Sequence, residues 1–251
     1  MAEQVLIEVC VDSVASATAA ERGGAARVEL CTSLIEGGVT PSAGMIAAVR
    51  RRISIGLQVI IRPRGGDFCY EEDEFDLMGR DIEIAKELGA DGVVLGVLSI
   101  DGTVDVDRTR QLVDIARPLN VTFHRAIDMS ADLLEALDDI CDTGADRVLT
   151  SGGEQECLKG AETLSRLVKS AGNRITIMAG GGIGPDDVAG ILERTGVTEI
   201  HVGMSSNQSS PMLYRNPRVS LGKAKGLEYQ RAVVLEENVR KLQRSIALAR
   251  T

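Results

Sequence analysis

The sequence predicts an α/β fold, a single-domain (β/α)8 TIM barrel over residues 1–251 with a long loop before the C-terminal helix. Three observations carry this. Strand-like and helix-like segments alternate along the whole chain. One plan repeats four times, in GAARVEL (24–30), GADGVVL (89–95), GADRVLT (144–150) and GVTEIHV (196–202). No linker, low-complexity stretch or composition shift divides the 251 residues. An open doubly wound sheet is the competing fold, but the repeat runs evenly to the end and no GxGxxG follows the first strand.

In each repeat a glycine ends a helix, a short turn follows, and a strand begins. Glycine suits the left-handed residue that closes a helix. Four further β-rich runs lie between the repeats: VLIEVCV (5–11), LQVIIRP (57–63), NVTFHR (120–125) and RITIMAG (174–180). That makes eight strands. The segments between them read as helices. Ser13 caps VASATAAER, and Thr40 before Pro41 reads as an N-cap with proline at the first helical position. Residues 71–88, 105–116, 131–143, 156–171 and 185–194 have helical spacing, and a last helix is expected over 228–249. Residues 204–227 are the long loop, and long loops in compact domains often bind or form interfaces.

Composition excludes several functions. The net charge is −9, with no basic cluster, so neither nucleic acid nor an anionic membrane is an expected partner. No apolar run approaches the ~18 residues of a membrane span, and no signal peptide is visible. The five cysteines are scattered, odd in number and without a CxxC, which fits free thiols in the cytoplasm. Aromatic residues make up 2% of the chain, so Val, Ile, Leu and Ala must build the core.

Side chains alternate across a strand, so in a barrel one face meets the helices and the other fills the interior. Ile7, Val9 and Val11 take the helix side, which sends Glu8 and Cys10 inward. Val28 and Leu30 do the same for Glu29 and Cys31. Arg62, Arg64, Thr122, His124 and His201 join them at the C-terminal ends of their strands, where barrel enzymes keep their sites. So many ionisable groups must pair or bind something. The turns holding Gly180, Gly181, Gly182 and Gly203 follow the last two strands, where backbone N–H groups can cradle phosphate. Arg62 and Arg64 either grip an anion or neutralise Glu8 and Glu29.

These residues stand in longer motifs: EVCVDS, ELC followed by EGGVTPS, IRPRGGDFCY, TFHRAID, RVLTSGG, MAGGGI and SPMLYRN. Together, over residues 5 to 235, they closely resemble the CutC family, named for copper homeostasis. The resemblance implies a cytoplasmic, typically oligomeric barrel that binds Cu(I) through Cys10 and Cys31. Cu(I) is soft, and two thiolates suffice for a near-linear site. A homo-oligomer, dimer or tetramer, is therefore expected, with Met212, Leu213 and Tyr214 of the long loop as contact residues. Copper does not account for the neighbouring polar groups. The alternative is an enzyme acting on a small anionic substrate, phosphorylated or carboxylated. Glu8, Glu29, His124 and His201 would then be acid–base groups or ligands to a divalent metal, and Arg62, Arg64 and the glycine turns would hold the anion.

Overall fold

The computed structural model describes residues 5–221 and 227–249. Eight parallel strands close on themselves: β1 (Leu6–Val11), β2 (Arg27–Leu30), β3 (Gly56–Ile60), β4 (Gly92–Leu95), β5 (Asn120–Phe123), β6 (Arg147–Thr150), β7 (Thr176–Gly180) and β8 (Glu199–Val202). The helices follow in turn: α1 (Val14–Gly23), α2 (Ala43–Arg50), α3 (Glu72–Glu87), α4 (Val106–Ala116), α5 (Leu133–Thr143), α6 (Ala161–Ala171), α7 (Val188–Thr195) and α8 (Glu236–Ala249). This is the TIM barrel. The four repeat glycines, Gly24, Gly89, Gly144 and Gly196, all have positive φ, between 73° and 95°, so the repeat is a helix-stop signal in physical fact.

The two faces of the strands separate as alternation requires. Ile7, Val9, Val11, Val28, Leu30, Leu57 and Val59 belong to the large core between sheet and helices. Inside the barrel a small apolar cluster of Cys31, Ile60 and Val94 forms, with Cys10 packed against it. Pairing β1 with β2 aligns Glu8 with Arg27 and Cys10 with Glu29, and pairing β1 with β8 aligns Glu8 with His201.

Some element ends differ from expectation. Ser13 caps α1, accepting from the Ser16 N–H at 3.2 Å. Thr40, however, does not cap α2. Its hydroxyl bonds the backbone of Arg62 instead, and Ser42 caps the helix by accepting from the Met45 N–H. Helix α6 begins at Ala161, not 156, because the chain at 156–160 is drawn toward β7, where the Cys157 N–H donates to Gly181 O at 2.8 Å. The last helix begins at Glu236. The residues before it form β10 (Gln230–Val234), antiparallel to β9 (Ser205–Ser209) inside the expected loop. The hairpin is fastened to the barrel by the Val234 N–H, which donates to Ser16 Oγ at 3.1 Å. Residues 222–226 of the loop lie outside the described residues.

Candidate functional site

At the C-terminal end of β1 and β2 the two thiols meet. Cys10 Sγ and Cys31 Sγ are 3.5 Å apart, and Glu29 Oε2 is 3.3 Å from Cys31 Sγ. The three residues offer ligand atoms that all lie within 4.8 Å of one another. Gly38, in the loop after β2, closes over them. A Cβ at this position would sit 3.3 Å from Cys31 Sγ, and its φ of +90° is strained for any other residue.

Below the thiols runs a buried chain of charges. His201 Nδ1 is 2.8 Å from Glu8 Oε1, and its Nε2 is 3.7 Å from Glu29 Oε2. Glu8 accepts from Arg27 Nε at 2.6 Å. Arg27 also pairs with Glu199, which takes a second cation, Arg147, at 2.5 Å. Arg147 reaches Thr122 Oγ1 at 3.1 Å. The line thus crosses the barrel from β8 to β5.

This setting separates otherwise similar groups. Burial pushes the Glu8 carboxyl upward, but the His201 hydrogen bond and the Arg27 charge overcome it and hold the pKa at about 2. Burial raises Glu29 to about 8, since His201 only partly offsets the loss of water. The Cys31 hydrogen bond lowers Cys10 to about 5, against burial and with help from His201. Cys31 moves the other way, raised by its bond to Cys10 and by burial. Burial works against the charged form of His201, yet Glu29, Cys10 and Glu8 together raise its pKa well above the ordinary value. These directions favour, near neutrality, an ionised Glu8, a thiolate at Cys10, a thiol at Cys31, a protonated Glu29 and an imidazolium at His201.

The other candidates lie elsewhere on the mouth. Arg62 spends Nη1 on the carbonyls of Glu36 and Gly38, at 2.8 and 2.9 Å, and Nη2 on Gly66 O at 2.7 Å. Arg64 is tied to Glu74 and Asp67. His124 is buried beside Phe68, their ring centroids 4.9 Å apart. Gly181 and Gly182 turn with φ of 111° and 69°, and a Cβ on Gly181 would lie 3.1 Å from Ser151 Cβ. A Cβ on Gly180 would lie 2.5 Å from Leu149 Cδ1, so this glycine is packed into the interior. Gly203 faces open space. So Glu8, Cys10, Glu29, Cys31 and His201 form one centre, and the arginines, His124 and the glycines stand around it. Arg27, Arg147 and Glu199 escaped sequence reasoning, although each occupies the interior phase of its strand: Arg27 is two residues before Glu29, and Glu199 two before His201.

Fold and site together define a (β/α)8-barrel protein with a dithiol–carboxylate centre at its C-terminal mouth. Residues 5–206 match the model of the CutC family, and the chain belongs to that family. It is 46% identical over 241 residues to a family protein CutC of Chromobacterium violaceum, covering 96% of this chain and 98% of the relative. It is 48% identical over 217 residues to the copper homeostasis protein cutC homolog of Homo sapiens, covering 86% and 80%. A solved CutC structure from Streptococcus agalactiae superposes with a TM-score of 0.75 at 34% identity, covering 79% of this chain and 98% of that one.

Proposed function

We propose that this chain binds Cu(I) through Cys10 and Cys31, with Glu29 as a third ligand. The observation that carries the reading is the 3.5 Å approach of two thiols on neighbouring strands; the lowered pKa of Cys10, at about 5, favours the thiolate that a soft metal takes. Soft thiolate ligands favour Cu(I), and relatives named for copper homeostasis support the assignment. The spacing also bears on the expected near-linear site. Two metal–sulfur bonds of about 2.3 Å laid end to end span about 4.6 Å. The sulfurs are closer than that, which favours a bent arrangement open to a third donor, and Glu29 stands beside it. A set of two sulfurs and one oxygen also suits a borderline divalent ion such as Zn(II), so Zn(II) belongs in the test as a competitor.

The test is competition against a Cu(I) chelator. Cys10→Ser with Cys31→Ser is expected to weaken binding by about a thousandfold or more, some 4 kcal/mol. Unchanged Cu(I) affinity in that double variant would overturn the thiol site, and preferential retention of Zn(II) by the unaltered protein would reassign the ion.

Two coarser features belong to the same proposal. All five cysteines are free, which supports a reducing, cytoplasmic setting. Leu213 is 100% exposed between the exposed Met212 and Tyr214 on the hairpin arm, which supports a homo-oligomer built through that arm. Light scattering is expected to give a dimer or tetramer mass, and Leu213→Asp is expected to shift it toward the monomer. A monomer in the unaltered protein would remove that support.

A further inference from the structure

Away from the thiols, on the β3–β5 side of the mouth, three buried polar atoms have no hydrogen-bond partner among the described residues: Arg62 Nε, Tyr70 Oη and His124 Nε2. Their residues are only 5%, 4% and 5% exposed. An unsatisfied buried polar atom costs about 1–3 kcal/mol, so three around one arginine call for an explanation. The residues are neighbours. Phe68 lies 4.9 Å from the Arg62 guanidinium and 4.9 Å from the His124 ring. The Arg62 charge acts on both Tyr70 and His124, and its side chain also stands near enough to act on the Tyr70 hydroxyl as a donor, although no hydrogen bond of full geometry joins them.

The three atoms share one chemical character. Arg62 Nε–H can only donate. His124 Nδ1 accepts from the Ala126 N–H at 3.3 Å, so its proton sits on Nε2, which is then a donor as well. Burial, reinforced by Arg62, lowers the His124 pKa to about 3 and keeps the ring neutral. Tyr70 is pushed up by burial to about 12 and keeps its hydroxyl proton. The group is thus two obligate donors and a hydroxyl, with one positive charge among them.

A cleft of about 1030 Å³ opens beside this group, lined by Tyr70, Phe68, Leu98, Ile100 and Met129 and by the carboxylates of Asp67, Glu71 and Asp128. Arg62 and His124 do not line it; they pack against Phe68, which does. Ile100 and Met129 are 95% and 70% exposed, an apolar rim that none of the described residues covers. The two arginines lining the cleft already have partners, Arg64 with Glu74 and Arg125 with Asp128. We infer that this cleft is a binding site for a small carboxylic acid with an apolar body, its carboxylate taken by Arg62 Nε, His124 Nε2 and the Tyr70 hydroxyl. One cation with two neutral donors matches a monoanion and underserves a phosphate dianion. A ligand reaching the donors touches or displaces Phe68. The site is separate from the thiol centre and stands whether or not copper binds there.

The test uses the full chain with 3-phenylpropanoate and benzoate as probes, their amides and inorganic phosphate as controls, and side-chain ¹H–¹⁵N NMR as the readout. The chain has only two histidines, so His124→Phe assigns the signal. The carboxylates are expected to move the His124 Nε2 resonance and the amides to leave it in place. Tyr70→Phe, which removes a single oxygen and is safe for folding, is expected to weaken binding about tenfold. Cys10→Ser with Cys31→Ser is expected to leave carboxylate affinity unchanged. The proposal is overturned if the His124 signal does not respond to about 10 mM carboxylate. It is equally overturned if phosphate moves that signal as far, or if Tyr70→Phe binds as tightly as the unaltered protein.

Discussion

Replacing Arg27 with methionine is expected to lower the unfolding free energy by about 3–5 kcal/mol, the usual cost of stripping one partner from a buried ion pair. Glu8 is fully buried, held between His201 and Arg27, and Glu199 between Arg27 and Arg147. Methionine fills much of the same volume and can pack against Met178, although the hydrogen bond that Arg27 Nη2 donates to the Met178 sulfur at 3.0 Å is lost with the guanidinium. The loss is therefore one of charge more than of packing. The Glu8 pKa lies at about 2, below its ordinary 4.5. A depressed carboxyl contributes stability that is fully present above 4.5 and is lost as the pH falls toward 2. The unaltered protein should weaken across that window, and the variant should weaken less, having already lost part of the contribution. Urea melts at several pH values check both points. Adding Glu8→Gln to the variant should recover part of the loss, since a neutral amide is cheaper to bury than a carboxylate left with His201 as its one charged partner. A single variant within about 1 kcal/mol of the parent, or a double variant no better than the single, would contradict this account of the network.

The same network marks what could be read from the chain beforehand. Alternation along each strand is enough to turn Glu8, Cys10, Glu29, Cys31 and His201 into the barrel, because the helix-facing partners are plainly Val, Ile and Leu. Carried two residues toward the N-terminal ends, the same count reaches Arg27 and Glu199, and on β6, where Val148 faces the helices, alternation turns Arg147 inward, so that part was legible as well. The role of Arg62 is of another kind. Its guanidinium is held by carbonyls at positions 36, 38 and 66, and which carbonyls a loop presents depends on its path in space, which no local spacing encodes. The β9–β10 hairpin was hidden for a third reason. Its first strand is SSNQS, with no apolar alternation and poor strand formers, and it exists because β10 pairs with it and docks on α1. Thr40 shows the competition directly. A residue well suited to cap a helix is claimed by the backbone of Arg62, and the helix starts two residues later on Ser42.

Copper affinity is expected to rise by about a hundredfold per pH unit between roughly pH 6 and 7.5, a steeper dependence than two thiols alone would give. The sign follows from what each ligand carries before the ion arrives. Cys10, with its pKa at about 5, has already lost its proton in this range. Cys31 keeps its own, because its bond to Cys10 and its burial both raise it. Glu29, at about 8, is still protonated as well. A metal takes only the deprotonated forms, so binding to all three expels about two protons, each worth tenfold in affinity per pH unit. Above about pH 8 the Glu29 proton is already gone, and the dependence should fall to about tenfold per unit. Glu29→Gln should show that shallower dependence throughout, because only Cys31 then has a proton to lose. Chelator competition at four pH values, on the parent and this one variant, measures both slopes. A parent slope of about one proton would remove Glu29 from the ligand set and leave a two-thiol site. A slope near zero would mean that neither Cys31 nor Glu29 gives up a proton on binding, and would overturn the three-ligand site.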